Sequence, residues 1–307
     1  MAKIFIDGES GTTGLGIKAR LEAMPEIELV SLPQAARKDP QAKAALLRQV
    51  DLAVLCLPDV AARETANLVA TLGDAGPRIL DASTAHRVAP GWIYGFPEWR
   101  GGQAEAIGGA KLVANPGCYA TGAIALLHPL VAAGVVSGDF PITINAISGY
   151  SGGGRAMIAE HDAGQAPAFE LYALDLEHKH VPEIMAYGGL ARRPIFVPSV
   201  GHFAQGMLVS IPLFLDALPG KPKGRDLEAA LAAHYGASAY VRVVASAEQT
   251  RIEPESLNGS NRLELRVFAN ETHRQVVLVA KLDNLGKGAS GAAVQNLGLM
   301  LGLDLKP

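Results

Sequence analysis

Apolar residues in this chain follow two rhythms. Before Cys118, short apolar runs such as KIFID (3–7), IELVSLP (27–33), DLAVLCLP (51–58) and RIL (78–80) alternate with helically spaced stretches such as AARETANLVATLG (61–73). That alternation predicts strands and crossover helices of a doubly wound parallel sheet. After Cys118 come extended, β-branched segments: ITINAISGY, IFVPSV, GMLVSIPLFL, YVRVVAS, NRLELRVFA and RQVVLVAKLD, with helical candidates at 157–163 and 225–235. They predict an α+β domain on a mixed or antiparallel sheet. The stretch GKGASGAAVQNLGLMLGL (286–303) has helical periodicity with small residues on one face, and is expected to return to the first domain. The fold class is therefore α/β, with domains at 1–117 (joined by 286–307) and 118–285.

KIFID runs directly into GESGTTGLGIKARL, giving strand, glycine loop, helix. Gly8, Gly11 and Gly14 are spaced GxxGxxG, with Gly16 beyond. Small residues there let the backbone approach a pyrophosphate resting on the helix N-terminus. Gly8, Ser10, Gly11, Thr12, Thr13 and Gly14 are thus candidate dinucleotide contacts. An acidic residue for a ribose 2′-hydroxyl belongs at the end of the second strand, but none follows IELVSLP. Ser31, Arg37 and Lys38 stand there instead, a hydroxyl and two cations suited to a 2′-phosphate, so NADP is expected over NAD.

The most informative segment is VANPGCYATG (113–122). A cysteine directly after Asn-Pro-Gly and before an apolar run sits at a helix start, where unpaired backbone N–H groups favour the nucleophilic thiolate. Cys118 is the candidate nucleophile. The only other cysteine, Cys56, lies inside a strand and is read as structural.

Composition narrows the class. With 307 residues, 49% hydrophobic and a net charge of −3, the chain has material for two domains and no basic surface for nucleic acid or anionic membrane. No apolar run reaches the roughly 18 residues of a membrane span, and the first 20 residues read as strand and loop rather than signal peptide, so a cytoplasmic location is expected.

Three segments of the second domain bring chemistry to Cys118. EHKHVPEI carries His178 and His180 two residues apart; one ring as base would lower the thiol pKa and later return the proton. Two histidines and a distant cysteine do not match zinc-site spacing, so no metal is expected. SGYSGGGR (148–155) exposes backbone N–H groups near Ser151 and Gly152 and ends in Arg155, suited to phosphate or carboxylate. DNLGKGASGAAVQN (283–296) offers Asn284 and Lys287 to the cofactor from the other side. In the first domain, DASTAHR (81–87) holds Ser83 and Arg87 in a loop after a strand end, and Asn115 precedes the cysteine turn.

Together, NPGCYATG, the glycine loop, HKHVPEI, GYSGGGR and DNLGKGASGAAVQN resemble the N-acetyl-gamma-glutamyl-phosphate reductases of arginine biosynthesis, in their shorter variety, along nearly the whole chain. The resemblance implies a Rossmann domain joined to a catalytic and dimerisation domain, NADPH as reductant and a small acyl-phosphate substrate. It also implies a homo-oligomer (dimer or tetramer), Cys118 as nucleophile, and a histidine partner in the HKH segment, with His180 favoured. Ser83, Arg87, Asn115, Ser151, Gly152 and Arg155 become candidate substrate contacts, Arg87 and Arg155 competing for the phosphate. Longer members carry a Pro-His pair where this chain reads PSVGHFAQGM, so contacts in that loop, His202 included, are not carried over. Two alternatives stand beside this reading. One is an aminoadipyl or carrier-linked acyl-phosphate reductase of lysine synthesis, since one methylene discriminates by only about 1–3 kcal/mol. The other is a non-catalytic NADP-sensing redox module.

Overall fold

A computed structural model describes residues 1–37, 39–246 and 250–305. Its first elements are β1 (Ala2–Asp7), α1 (Thr12–Leu21), β2 (Ile27–Val30), α2 (Pro40–Leu47), β3 (Leu52–Leu55), α3 (Asp59–Thr71) and β4 (Arg78–Asp81). There follow β5 (Ile93–Tyr94), α4 (Gln103–Gly109), β6 (Leu112–Ala114), α5 (Cys118–Ala132), β7 (Thr143–Gly149), α6 (Gly154–Asp162), β8 (Phe169–Leu171) and α7 (Val181–Gly188). The last are β9 (Ile195–Gly201), β10 (Met207–Phe214), α8 (Gly224–Tyr235), β11 (Val241–Val243), β12 (Leu263–Asn270), β13 (Gln275–Leu282) and α9 (Gly291–Leu301). These group into two units: residues 1–97, 102–116 and 289 onward in one, 98–101 and 117–288 in the other.

The first unit carries a sheet in the order β2-β1-β3-β4-β6-β5, with every pair parallel. Its strands are apolar on both faces because both are covered. Ile4, Ile6, Leu52, Val54 and Leu80 point to one side and meet Ile17 and Leu21 of α1 and Ala293, Val294 and Leu297 of α9. Phe5, Ala53, Leu55 and Ile79 point to the other and meet Leu46, Leu47, Ala62 and Val69. The strand order reverses between β1 and β3, and the glycine loop leaves β1 at that point, where doubly wound sheets bind ligands.

The second unit carries a mixed sheet, β11-β12-β13-β10-β7-β9-β8. Pairs β7·β9 and β11·β12 are parallel and the others antiparallel. Helix α5 is apolar on all sides and buried from Tyr119 to Leu127, the pattern of a central helix. It lies against β10, β13, α7 and α8. Gly122 lets it come close, since a Cβ there would stand 2.8 Å from Val209 Cγ2.

The expected strands are present, with differences of local origin. β2 stops at Val30 ahead of Pro33, which cannot donate to a ladder, and YVRVVAS contributes only residues 241–243. The segment after HKH, read from sequence as extended or loop, continues into α7, started by Pro182 in the first turn. β5 and β8, of two and three residues, are too short for periodicity to register. No helix among the described residues is long and apolar enough to cross a membrane.

One side chain ties the first unit together. The Arg78 guanidinium donates to the carbonyls of Gly108 (2.7 Å), Ile107 (3.2 Å) and Ala110 (2.8 Å) at the end of α4, and to Met300 at the end of α9. Carbonyls at helix C-termini lack intrahelical partners and carry negative partial charge, so one cation satisfies two helix ends. Arg78→Met is expected to lower stability by roughly 2–4 kcal/mol through orphaned carbonyls, read as a fall in the urea midpoint. Arg78→Lys, with a single head group, should recover less than half of that loss.

Candidate active site

In the first unit, Gly8 has φ +90°, and a Cβ there would fall 2.2 Å from the Cys56 carbonyl oxygen. A Cβ at Gly14 would fall 2.5 Å from the Gly8 carbonyl oxygen. Both glycines are therefore sterically required by the turn itself. The Gly11 N–H donates to the Gly8 carbonyl at 3.0 Å and Gly11 caps α1, whose first residues are Thr12 and Thr13. The Thr12 hydroxyl is buried without a partner. An orphaned hydroxyl and a positive helix end fit a dinucleotide pyrophosphate.

The residues beyond β2 are engaged differently from the sequence expectation. Ser31 donates to Glu9 Oε2 at 3.1 Å, Lys18 reaches the same oxygen at 3.3 Å, and the Arg37 guanidinium pairs with Glu9 Oε1. Burial opposes ionisation of Glu9, but Ser31, Lys18 and Arg37 outweigh it and hold the carboxyl below its usual range. No carboxylate follows β2, yet one from the glycine loop reaches the same place. Lys38 lies outside the described residues.

Two expected substrate contacts, Ser83 and Asn115, make hydrogen bonds within the first unit. Ser83 donates through its backbone (2.9 Å) and hydroxyl (2.7 Å) to the fully buried Asp81, which also holds His86 Nδ1 at 2.6 Å. Asn115 donates to the Ala289 carbonyl at 3.1 Å and accepts from Asn296 at 3.0 Å. Arg87 is buried, with Nε on the Asn115 carbonyl at 3.1 Å, so part of its guanidinium braces the turn that leads to the cysteine. Burial, reinforced by Asp81 and Asp7, pushes the Cys56 thiol up to about 12, in keeping with an inert side chain.

In the second unit, Cys118 is the first residue of α5, capped by Gly117, and is half-buried. The Gly117 N–H donates to Glu183 Oε2 at 3.1 Å. The other oxygen of this buried carboxylate stands 3.9 Å from His180 Nε2. His180 is the N-cap residue of α7 and Glu183 its third residue, the spacing at which a side chain folds back over a helix start. Here the carboxylate reaches a second helix instead. The rings of His178 and His180 each lie 5.8 Å from Tyr119, the neighbour of Cys118, and 4.7 Å from each other. The His180 N–H donates to His178 Nδ1 at 3.1 Å, which leaves the His178 proton on Nε2, 3.5 Å from the Tyr172 hydroxyl. Burial and the charge of Cys118 raise the Tyr172 phenol well above its ordinary value, so it stays a neutral donor.

The fold thus sets His178 and His180 around Tyr119, the chain neighbour of Cys118, and adds Glu183, which links the cap of α5 to His180, and Tyr172, both of which sequence reasoning missed. Glu183 had a signal in its three-residue spacing from His180; Tyr172 had none. Gly288, in a π-turn over Gly286–Ser290, closes the site from another side: a Cβ there would stand 2.8 Å from Cys118 Cβ. Ser151 and Asn284 are bonded to each other at 2.9 Å, and Asn284 also accepts from the Gly206 N–H at 2.7 Å. The Asn284 amide, expected at the cofactor, is positioned by these two bonds beside the glycine loop. Gly152 and Arg155 are exposed there, Arg155 in the first turn of α6. Lys287, also expected at the cofactor, is buried against Glu98 at 2.8 Å and over the Tyr240 ring. His202 pairs with His161 at 2.8 Å between the two Nδ1 atoms.

Residues 118–284 match the family model of the semialdehyde dehydrogenase dimerisation domain. A relative from Pseudomonas putida named N-acetyl-gamma-glutamyl-phosphate reductase 2 is 52% identical, over 97% of this chain and 96% of its own. The chain belongs to the N-acetyl-gamma-glutamyl-phosphate reductase family. A member of that family from a Chelativorans species is 54% identical over 98% of both chains. Aspartate semialdehyde dehydrogenase II from Vibrio cholerae shares the fold at 15% identity, with a TM-score of 0.73 over 98% of both chains. The Candida albicans aspartate semialdehyde dehydrogenase, solved with NADP, has a TM-score of 0.64 at 16% identity over 98% of both chains.

The two cysteines should separate cleanly under alkylation. At pH 7.5 iodoacetamide is expected to modify one thiol per chain, at Cys118. Cys56→Ala should leave rate and stoichiometry unchanged and Cys118→Ala should abolish the reaction, as read by intact mass; rapid labelling of Cys56 would contradict its raised pKa.

Proposed function

We propose that the chain is the NADPH-dependent reductase of N-acetyl-L-glutamyl 5-phosphate, acting through a Cys118 thioester and yielding N-acetyl-L-glutamate 5-semialdehyde and phosphate in arginine biosynthesis. The observation that carries this reading is the grouping of Cys118, at a helix start, with two histidines and a buried carboxylate, in a chain of that family. The Cys118 sulfur attacks the acyl carbonyl, a C–S bond forms, and the C–O bond to phosphate breaks. Backbone N–H groups at the start of α5 stabilise the oxyanion of the tetrahedral state. Arg155, exposed beside the glycine loop, takes the phosphate; Arg87 is committed to the Asn115 turn. His180 is the proton carrier, because the Glu183 carboxylate behind it stabilises the imidazolium, and His178 with Tyr172 contacts substrate. The glycine loop, Thr12 and Thr13 would hold the dinucleotide. When bound, NADPH supplies the hydride that takes the acyl group to the aldehyde level. The C–S bond then breaks, and histidine returns the proton to sulfur. The family's dimerisation domain supports a homo-oligomer, and a biosynthetic reductase without a membrane-crossing helix among its described residues suits the cytoplasm.

The direct test runs the reaction backwards, with N-acetylglutamate semialdehyde, phosphate and NADP, following absorbance of the reduced nicotinamide. Wild-type protein is expected to turn over only with all three present. Cys118→Ser should bind nucleotide normally yet retain less than about a hundredth of kcat, a loss above roughly 2.8 kcal/mol. Activity above that level would remove Cys118 from the nucleophile role, and a preference for the aminoadipate homologue would move the enzyme to lysine synthesis.

The histidines should differ in kind. His180→Asn is expected to flatten the acidic limb of the pH–rate profile and to slow thiol alkylation near neutrality. His178→Asn should mainly raise KM and leave alkylation unchanged. The reverse pattern would exchange the two roles.

A further inference from the structure

We propose that Glu9 is a built-in competitor of the coenzyme's 2′-phosphate: its carboxylate occupies the anion site made by Ser31, Lys18 and Arg37 and must leave it when NADPH binds. The proposal rests on the NADPH reading above. Its basis is a chemical match between what holds Glu9 and what a phosphate monoester needs. One hydroxyl at 3.1 Å, one ammonium at 3.3 Å and one guanidinium converge on the two oxygens of a single carboxylate. The donors come from three elements, α1, the end of β2 and the turn after it, so only tertiary structure assembles them. The site is open on the cation side: the Glu9 side chain is 14% exposed, those of Lys18 and Arg37 37% and 45%. An incoming anion therefore meets the cations before Glu9 has moved.

Position supports the same reading. Glu9 follows Gly8 in the loop leaving β1, and Ser31 follows the last residue of β2, where this class of sheet receives the adenosine ribose. Two cations facing one carboxylate carry one net positive charge. Without the carboxylate they carry two, the complement of a phosphate dianion. A nucleotide lacking the 2′-phosphate has no anion to exchange for Glu9, so the cluster acts on one coenzyme and is silent toward the other. The resident carboxylate weakens binding of the phosphorylated coenzyme and also keeps the cation pair from capturing other anions.

The test uses binding, which does not depend on turnover. Titrations of wild type and Glu9→Gln with adenosine 2′,5′-bisphosphate and with adenosine 5′-monophosphate, followed by calorimetry, report the two coenzyme types separately. Glu9→Gln is expected to bind the bisphosphate roughly three- to tenfold more tightly, the scale of one like-charge contact near the surface. Its affinity for the monophosphate should stay within about twofold, and Glu9→Gln combined with Arg37→Gln should lose the gain. A variant that failed to fold cannot mimic tighter binding. Unchanged or weaker bisphosphate binding by Glu9→Gln, while wild type still prefers the bisphosphate, would overturn the competitor role and leave the NADPH reading intact. Equal affinity of wild type for both nucleotides would overturn the NADPH reading and this proposal together.

Discussion

The placement of Cys118 and His180 is referred to one buried carboxylate. Glu183 accepts the Gly117 N–H at the mouth of α5 and faces His180 at the mouth of α7. An isolated buried carboxylate would be strongly unfavourable, and these two partners are what make it tolerable. The arrangement couples two helix starts that are far apart in sequence. The thiol direction follows from α5 and the imidazole direction from the turn before α7, and both are referred to one group. A shift of either helix would pull one of these partners away from the buried carboxylate, so the structure resists small rearrangements there.

Close backbone approach is the second constraint. Gly122 draws α5 onto β10, and Gly288 brings the π-turn onto Cys118; in each case a methyl group would stand 2.8 Å from its neighbour. Helix α5 is therefore held close at Gly122 and at its first residue, Cys118, and by hydrogen bonding at its cap. In the first unit, Gly8 and Gly14 play the corresponding part for the dinucleotide loop. Polar groups there are disposed by how near the chain can pass to itself.

Much of this was legible in the sequence because it is local. The strand–glycine–helix start, the Asn-Pro-Gly-Cys turn and the alternation of strands with helices are periodicities or turn signals within a few residues. Cys56 lies one residue beyond the end of β3 rather than inside the strand, and it is burial with Asp81 and Asp7 that raises its thiol pKa. What the sequence hid is what tertiary contacts decide. Arg87 and Asn115 carry the residue types of a substrate site and also brace the turn before Cys118, which no local pattern shows. Asn284 and Lys287 lie in a motif that points to cofactor, and their bonds to Ser151, Gly206 and Glu98 come only from the tertiary fold. Arg37 appeared free for a phosphate because nothing in the local sequence shows that Glu9, 28 residues earlier, reaches it. Tyr172 acquires its place only through the path of the loop before α7.

The double cap made by Arg78 has a consequence for how the protein is made. Its partners at the ends of α4 and α9 straddle the second unit, the α9 contact spanning 222 residues of chain. On one face of the first sheet, Ala293, Val294, Leu297 and Met300 of α9 pack beside Ile17 and Leu21 of α1. On the ribosome, the six strands of the first sheet emerge long before the helix that covers them. The first unit therefore lacks one of its covering helices, and one end of the Arg78 contact, until the last residues have been synthesised. The mixed-sheet unit, continuous from residue 117 to 288 apart from a four-residue segment, can complete its core first. The first unit completes the same sheet face only when residues 291–301 join the α1 side chains already packed there.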